Sequence, residues 1–282
     1  MAREGDNRAG PNRACPGVAW ATRGPAYDPR AMNTPFDPHA HAQALEQAWR
    51  GAPRVSAADL PIADEAQAYA VQDALATRLG RVAGWKVGAS SNSAEPNAAP
   101  LPATVVRPAG TTLGLPARSM RLIELEVAVR LRHDLQPGDR LMSLAQVWDA
   151  IESVFPTVEV VDSRLAEGRD APAPVRLADL QSHGALVWGV PLEIHPRAVD
   201  LTRLRTRLWF DGALAADVTG AHAAPDIWRL IAWLARHAQA RGRPLRAGDI
   251  VTTGSCTPPV FAAEGARVTG EIDGLGRIAL TL

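Results

Sequence analysis

The most regular hydrophobic pattern of the chain lies in residues 121–131. Apolar residues occupy every second position there, namely Ile123, Leu125, Val127, Val129 and Leu131. This alternation predicts a β-strand with one face in the core. Glu124 and Glu126 then project from the other face, one pleat repeat or about 6–7 Å apart. Two carboxylates at this spacing repel each other unless a cation lies between them.

A divalent cation such as Mg²⁺ would relieve the repulsion, because it takes carboxylate oxygens as ligands. The alternative is a solvated outer face on which Arg121 and Arg130 are the counter-charges. A third acid, Glu159, lies between valines in a β-branched segment, where an unpaired carboxylate would be costly. Either a third metal ligand or a buried pair with Arg164 explains this acid. Glu152 competes for the third ligand position, and the strand setting favours Glu159.

One lysine also stands in an apolar setting. Lys86 is flanked by Trp85 and Val87, and a lysine is rarely buried without a reason. A surface lysine that extends its charge into solvent fits the same alternation. The following residues, 89–102, are small or polar and predict a long loop, a feature that often serves as a lid. Glu95 is the only acid in that loop, and no role is assigned to it.

The remaining pattern predicts many short strands and a few helices. Helical spacing and capping residues predict helices over 39–49, 64–80, 143–151 and 226–241. Further strands are predicted over 81–88, 185–190, 250–252, 266–272 and 276–282, with a hairpin formed by 201–210 and 213–218. Helices and strands do not alternate as in parallel α/β folds. The pattern therefore favours an α+β domain with a mixed or antiparallel β core.

Composition excludes several classes of protein. The chain has 282 residues with 30 basic and 30 acidic groups, and this balance argues against a nucleic acid or a membrane surface as the main partner. Cys15 and Cys256 are too few for a disulfide framework, so a reducing, cytoplasmic location is expected. No apolar run approaches the roughly 20 residues that span a bilayer.

The N-terminal residues differ from the rest. Residues 1–38 are rich in Gly, Pro, Arg and Ala and lack an apolar period, which predicts a disordered extension. The composition changes just after Met32, and we expect translation to begin there. A single catalytic domain is predicted over 39–282, with a helical N-terminal segment over 39–80.

Several motifs together resemble the fumarylacetoacetate hydrolase superfamily. They are Gly-Trp-Lys-Val-Gly at 84–88, Glu-Leu-Glu at 124–126 and Pro-Thr-Val-Glu-Val-Val-Asp-Ser-Arg at 156–164. The later stretch from Trp228 to Leu282, which includes the segment 242–255, is similar as well. The most similar branch contains the 2-keto-4-pentenoate hydratases and 4-oxalocrotonate decarboxylases. The resemblance covers the chain from about residue 40 and implies a β-roll core with a helical N-terminal segment.

The resemblance also implies roles for the candidate residues. It places Lys86 at the substrate, and it matches the Glu-Leu-Glu and Glu159 motifs to a site for Mg²⁺ or Mn²⁺. Gly254 and Ser255, in a polar turn after a strand, are candidates to bind a 2-oxo acid substrate, and an ordinary turn serine is the alternative for Ser255. The family usually has Asp-Asn where this chain has Asp179 and leucine, so Asp179 is a further candidate with altered surroundings. His183 is either a base in the site or a solvated side chain. A homo-oligomer is also implied.

The chemistry expected of this site is metal-dependent lyase chemistry. Hydration of a 2-hydroxy-2,4-dienoate, as in the degradation of aromatic compounds, is the preferred reaction. Decarboxylation of a 2-oxo-3-enedioate is the alternative, since both pass through a stabilised enolate. Hydrolysis of an acylpyruvate would need a water-activating base that the sequence does not identify. A non-catalytic family member that serves as a partner subunit is the remaining hypothesis.

Overall fold

The structure is a computed structural model that describes residues 36–138 and 142–282. Over this part of the chain the α-helices are α1 (Pro38–Trp49), α2 (Glu65–Leu79), α3 (Leu144–Asp149), α4 (Ala173–Ala178) and α5 (Ile227–Ala240). The first strands are β1 (Val82–Gly88), β2 (Asn97–Pro102), β3 (Val106–Pro108), β4 (Leu122–Leu131), β5 (Ile151–Val161) and β6 (His183–Trp188). The later strands are β7 (Arg205–Phe210), β8 (Ala213–Thr219), β9 (Ile250–Ser255), β10 (Val260–Phe261), β11 (Arg267–Ile272) and β12 (Gly276–Thr281).

Side-chain caps fix where the helices begin. The Asp64 carboxylate accepts a hydrogen bond from the backbone N–H of Gln67 at the start of α2. Ser143 and Gln146 form a reciprocal capping box at the start of α3, and Asp226 caps α5. Each cap satisfies a backbone donor that has no partner inside the helix. The predicted helix starts after residues 63, 142 and 225 therefore agree with the structure to within about two residues.

The strands form two sheets within the described residues. The larger sheet has the order β2-β1-β9-β4-β5-β6-β3, with β10 paired to β4, and the smaller has the order β12-β11-β7-β8. The pairs β1–β9 and β3–β6 are parallel and the other pairs are antiparallel. The predicted α+β class with a mixed β core is confirmed.

The two sheets pack through the apolar face of β4. A Cβ added to Gly270 of β11 would lie only 2.6 Å from a methyl carbon of Leu125. A glycine at this position therefore allows the smaller sheet to approach the larger one. The alternating apolar residues of β4 are all buried in the main hydrophobic cluster, as the sequence pattern predicts.

The other face of β4 is covered as well. Ala128 and Phe155 belong to a second buried cluster beside the two glutamates. Arg121 forms an ion pair with Glu264 at 3.2 Å, and the guanidinium of Arg130 stacks on aromatic rings. A solvated face with these two arginines as counter-charges is therefore wrong.

Three predicted element boundaries are corrected. Residues 97–102 form β2 rather than loop, because a strand at the edge of a sheet tolerates the prolines that obscured the pattern. The third predicted helix ends at Asp149, where β5 begins two residues later. The first strand of the hairpin begins at Arg205 rather than at 201.

The N-terminal predictions concern residues outside the described part of the chain. The expected start at Met32 lies there, as does most of the predicted extension 1–38. Residues Asp37–Leu282 form one compact unit, and the division at residue 39 stays a prediction. No helix among the described residues is long and apolar enough to cross a membrane.

Candidate metal centre

Three glutamates converge where β4 and β5 run side by side. Glu124 and Glu126 lie two positions apart on β4 and so share a face, and Glu124 is directly opposite Glu159 in the antiparallel register. One carboxylate oxygen from each residue lies within 4.8 Å of the others. The cross-strand arrangement therefore brings together the three acids that the sequence pattern singled out.

The surroundings make this cluster electrostatically strained. Glu126 and Glu159 are fully buried and Glu124 is half-buried. Burial, together with the charges of Glu159 and Glu124, raises the pKa of Glu126 to about 8. Burial and the charge of Glu159 also raise the pKa of Glu124. Both shifts have the direction expected of carboxylates that share a desolvated space with too little positive charge.

Lys86 is the cation that the protein itself places in the cluster. Its Nζ lies 2.6 and 2.8 Å from the two carboxylate oxygens of Glu159 and also donates to the backbone oxygen of Gln181. Burial alone would lower the pKa of Lys86, but the three carboxylates raise it above its usual value. Lys86 is therefore an ammonium at neutral pH, and it is not the solvent-directed lysine of the alternative interpretation.

His183 is a second contact of Glu159. Its Nδ1 lies 2.8 Å from a Glu159 carboxylate oxygen, and the side chain is completely buried. Burial lowers the pKa of His183, so the neutral ring donates its Nδ1 proton to the carboxylate. Burial would raise the pKa of Glu159, but Lys86 and His183 lower it to about 2. The histidine is therefore not solvated. It orients Glu159 through Nδ1, its Nε2 has no hydrogen-bond partner among the described residues, and a role as a base in the site stays a prediction.

Residues of β9 hold the carboxylate of Glu126 in place by hydrogen bonds. The hydroxyl of Thr252 and the backbone N–H of Gly254 both donate to one oxygen of Glu126. Gly254 has a φ of 107°, a backbone conformation that residues other than glycine rarely adopt. The hydroxyl of the next residue, Ser255, donates instead to the backbone oxygen of Thr257. Gly254 thus contacts the triad, and substrate binding by Gly254 and Ser255 stays a prediction.

Asp179 belongs to a separate ion pair. Its carboxylate accepts from Nε of Arg164 at 2.5 Å, and from the Ser163 hydroxyl and the Arg164 backbone. Arg164 therefore pairs with Asp179 and not with Glu159, which removes the alternative explanation for the buried Glu159. Both Asp179 oxygens already have partners, and a role for this residue in substrate binding stays a prediction.

A strained turn borders the site. Leu180, Gln181 and Ser182 all have positive φ values between 49° and 57°. Left-handed conformations are costly for residues other than glycine and persist where the surrounding structure enforces them. This turn directs the Gln181 backbone oxygen toward Lys86. The sequence shows no signal for the turn, since glycine and asparagine are absent from it.

A pocket of about 270 Å³ opens over the cluster. Its lining includes Lys86, Glu124, Leu122, Val161, Arg169 and Arg176. Glu152, the competing ligand, is exposed on β5 and is not part of the convergent group. Glu95 accepts a hydrogen bond from Nε1 of Trp233 and lies beside another pocket. Neither acid is in the cluster.

The donor set fits a hard divalent cation. Three carboxylates face one lysine, and the Arg169 charge also acts on Glu124, so one negative charge remains unbalanced when all three acids are ionised. Carboxylate oxygens with no thiolate and no imidazole ligand are the donors that Mg²⁺ and Mn²⁺ prefer. Glu124, Glu126 and Glu159 are thus the residues that could hold such an ion.

Comparison with known families agrees with this geometry. The family model for the fumarylacetoacetate (FAA) hydrolase C-terminal region matches residues 68–282. The chain belongs to the fumarylacetoacetate hydrolase family. The match covers all three glutamates of the triad and every strand in the described part of the chain, so the resemblance expected from the short motifs is confirmed.

Relatives within the fumarylacetoacetate hydrolase family include named lyases. A 2-keto-4-pentenoate hydratase of Burkholderia vietnamiensis is 30% identical over 78% of this chain and 87% of that protein. A 2-hydroxyhexa-2,4-dienoate hydratase of Comamonas testosteroni is 32% identical over 56% of this chain and 58% of that protein. Among solved structures, the 4-oxalocrotonate decarboxylase of Pseudomonas putida G7, complexed with magnesium and adipate, has a TM-score of 0.74. It is 26% identical and covers 88% of this chain and 98% of its own.

Proposed function

We propose that the chain is a divalent-metal-dependent lyase that adds water to a 2-hydroxy-2,4-dienoate. The observation that carries the proposal is the convergence of three carboxylates and one ammonium beneath a pocket. The relatives named as hydratases support the choice of reaction. The proposal includes Mg²⁺ or Mn²⁺ at Glu124, Glu126 and Glu159, and a 2-oxo acid as the small-molecule partner.

The balance of the reaction defines what the site must do. Water addition places the water oxygen on carbon 4, while carbons 3 and 5 each gain a proton and the enol becomes a ketone. When bound, the metal would supply Lewis-acid stabilisation of the negative charge that develops on the oxygen of carbon 2. The protein must bind the substrate carboxylate, orient the chain and manage the protons.

Lys86 is suited to the binding and proton-transfer roles. Its Nζ is held by Glu159 and the Gln181 backbone oxygen, so its direction is fixed before substrate arrives. As an ammonium it can donate a hydrogen bond to the substrate carboxylate or a proton to a carbon of the chain. His183 and Thr252 act indirectly, because they orient Glu159 and Glu126.

The direct test is turnover of 2-hydroxypenta-2,4-dienoate with Mg²⁺, with Mn²⁺ and with a chelator. We expect activity that requires a metal. The variant Lys86→Met should lose about 10²–10⁴-fold in kcat, the usual contribution of a proton-transfer group. Glu152→Gln, an exposed acid on the same strand as Glu159, is the matched control and should keep full activity. Failure of the native protein with both metals would overturn the hydratase proposal.

Decarboxylation is the second candidate, supported by the structural likeness to the Pseudomonas decarboxylase. Release of carbon dioxide from a 2-oxo-3-enedioate, without net hydration of the dienoate, would favour it. Binding of oxalate without turnover of either substrate would instead favour a non-catalytic partner subunit. Homo-oligomerisation and a cytoplasmic location stay predictions, and light scattering of the purified protein tests the first.

A further inference from the structure

An irregularity in the pairing of β9 with β4 lies beside Glu126. Residues 252–255 of β9 lie opposite only residues 126–128 of β4, so β9 holds one extra residue at this place. Such a bulge interrupts the regular ladder and changes the direction of the groups next to it. The backbone N–H of Gly254, which lies in the bulge, donates to a carboxylate oxygen of Glu126 at 3.2 Å. The geometry of the bulge therefore decides where this donor points.

His222 contacts the bulge from the connection 220–226, which joins β8 to α5. Its side chain is buried, and its Nε2 lies 2.9 Å from the backbone oxygen of Thr253. Its Nδ1 accepts a hydrogen bond from the backbone N–H of Ala224 at 3.1 Å. Burial lowers the pKa of His222, so the ring is neutral at pH 7 and carries its proton on Nε2, which donates to Thr253. Both ring nitrogens are thus used to join the connection to the bulge.

The ring of His222 also lies against the glycine of the bulge. A Cβ added to Gly254 would lie 3.3 Å from Nε2 of His222. The hydroxyl of Thr253 donates to the backbone oxygen of Val127 at 2.8 Å, which ties the bulge to β4 as well. The bulge is therefore held by the neighbouring strand and by the imidazole ring together.

We infer that His222 is a positioning residue for the metal centre. Its hydrogen bond to Thr253 fixes the bulge, and the bulge aims the Gly254 N–H that holds Glu126. Outer contacts that orient a ligand in this way increase its affinity for the metal ion. The inference rests on the proposed function, because it takes Glu126 as a ligand of Mg²⁺ or Mn²⁺.

Two substitutions at His222 separate the two bonds of its ring. In His222→Gln the amide nitrogen can take the place of Nε2 and donate to Thr253. In His222→Asn the shorter amide can still accept from the N–H of Ala224 but does not reach Thr253. Calorimetry should give a Mg²⁺ dissociation constant about 10–100-fold higher in His222→Asn than in the native protein, the usual effect of removing an outer contact. The dissociation constant of His222→Gln should stay close to the native value.

His195→Asn is the matched control. The exposed His195 accepts from the backbone N–H of Arg197 at 3.1 Å, the same local arrangement as at His222 but on a different loop. Its substitution should leave the Mg²⁺ affinity unchanged. Native affinity in both His222 variants would overturn the inference and leave the metal site intact, and so would a loss in His222→Gln as large as that in His222→Asn. If the native protein binds no Mg²⁺, the metal site of the proposed function fails and the inference fails with it.

A measurement on the native protein decides the inference even if His222→Asn does not fold. The Nε2–H resonance of His222, followed by NMR, should shift as Mg²⁺ saturates the protein, because a change at Glu126 passes through Gly254 to the carbonyl of Thr253. The ring resonances of His195 should not shift. A His222 resonance that stays unchanged at saturating Mg²⁺ would show that the ring is not coupled to the metal centre.

Discussion

Two buried clusters of charged side chains lie next to each other in this protein. The positive and negative charges are equal in one cluster and unequal in the other. In the first, Arg164 and Asp179 form a complete pair. The guanidinium donates to the Asp179 carboxylate and to the backbone oxygens of Asp162, Asp179 and His183. Ser163 supplies a further donor to the carboxylate. One positive charge meets one negative charge, and every polar group on both side chains has a partner.

The second cluster has three carboxylates and only one ammonium. His183 connects the two clusters. The His183 ring contacts Glu159 in the second cluster, and the His183 backbone oxygen accepts a hydrogen bond from Arg164 in the first. Burial, together with the charges of Glu159 and Glu124, raises the pKa of Glu126 to about 8. A balanced buried pair holds the fold in place, whereas an unbalanced one creates affinity for a cation. The predictions below test that difference.

The largest effect is expected from breaking the balanced pair. Asp179→Asn leaves the Arg164 charge buried without a partner, which costs about 3–5 kcal/mol. Unfolding in urea should show a correspondingly lower free energy of unfolding. Asp217→Asn is the control, because Asp217 pairs with the exposed Arg205 at 2.6 Å. That loss should be much smaller, because water screens an exposed ion pair, and equal losses in the two variants would contradict the comparison.

Metal binding should stabilise the protein through the unbalanced cluster. Mg²⁺ at 100 times its dissociation constant would add about 2.7 kcal/mol to the free energy of unfolding. The thermal midpoint should rise accordingly in the native protein and should not rise in Glu124→Gln. The exposed control Glu152→Gln should respond as the native protein does. A midpoint that is insensitive to Mg²⁺ and Mn²⁺ would remove the triad as a metal site.

Without metal, removing a charge from the triad should stabilise the protein. Glu126→Gln keeps the shape of the side chain and can still accept from Thr252, but it relieves the crowding of like charges. We expect a gain of about 1 kcal/mol in the metal-free free energy of unfolding. The sign is opposite to that expected for Asp179→Asn. A loss of stability in the chelator-treated variant would show that the triad is balanced after all.

The sequence was sufficient to identify the acids but not their partners. The alternation along β4 places Glu124 and Glu126 on one face, and the valines around Glu159 mark a buried acid, because both signals are local. The pairing of Arg164 with Asp179 depends on how the chain folds back after β5. No pattern within one strand encodes that approach, and the predicted alternative of Arg164 with Glu159 is wrong for this reason.

Two elements, β2 and the turn 180–182, could not be predicted because their local sequences are unusual for the structures they form. β2 contains alanines and prolines, which indicate loop, and only its edge position in the sheet makes the strand acceptable. The left-handed turn 180–182 lacks glycine, so its direction toward Lys86 comes from tertiary contacts. The fold class and helix caps could be predicted because they depend on short-range patterns.

The smallest expected effect is a pH dependence that arises outside both clusters. The ring of His237 stacks on Trp233 at 4.4 Å and lies beside Arg241. Burial and the Arg241 charge lower the pKa of His237 to about 4. Between pH 6.5 and about 4 the unfolded chain binds a proton that the folded protein excludes, so stability falls as the pH is lowered through this range.

Solvent screening limits the effect of this partly exposed ring to about 1 kcal/mol. His237→Gln should flatten the stability profile of the chelator-treated protein between pH 6.5 and 4, while the exposed control His39→Gln should leave it unchanged. Urea unfolding at several pH values measures both. Subtracting the His237 contribution leaves the pH dependence of the remaining titratable groups, the triad among them. If His237→Gln has the same pH profile of stability as the native protein, the loss of stability at acid pH arises from other groups, including those of the two clusters.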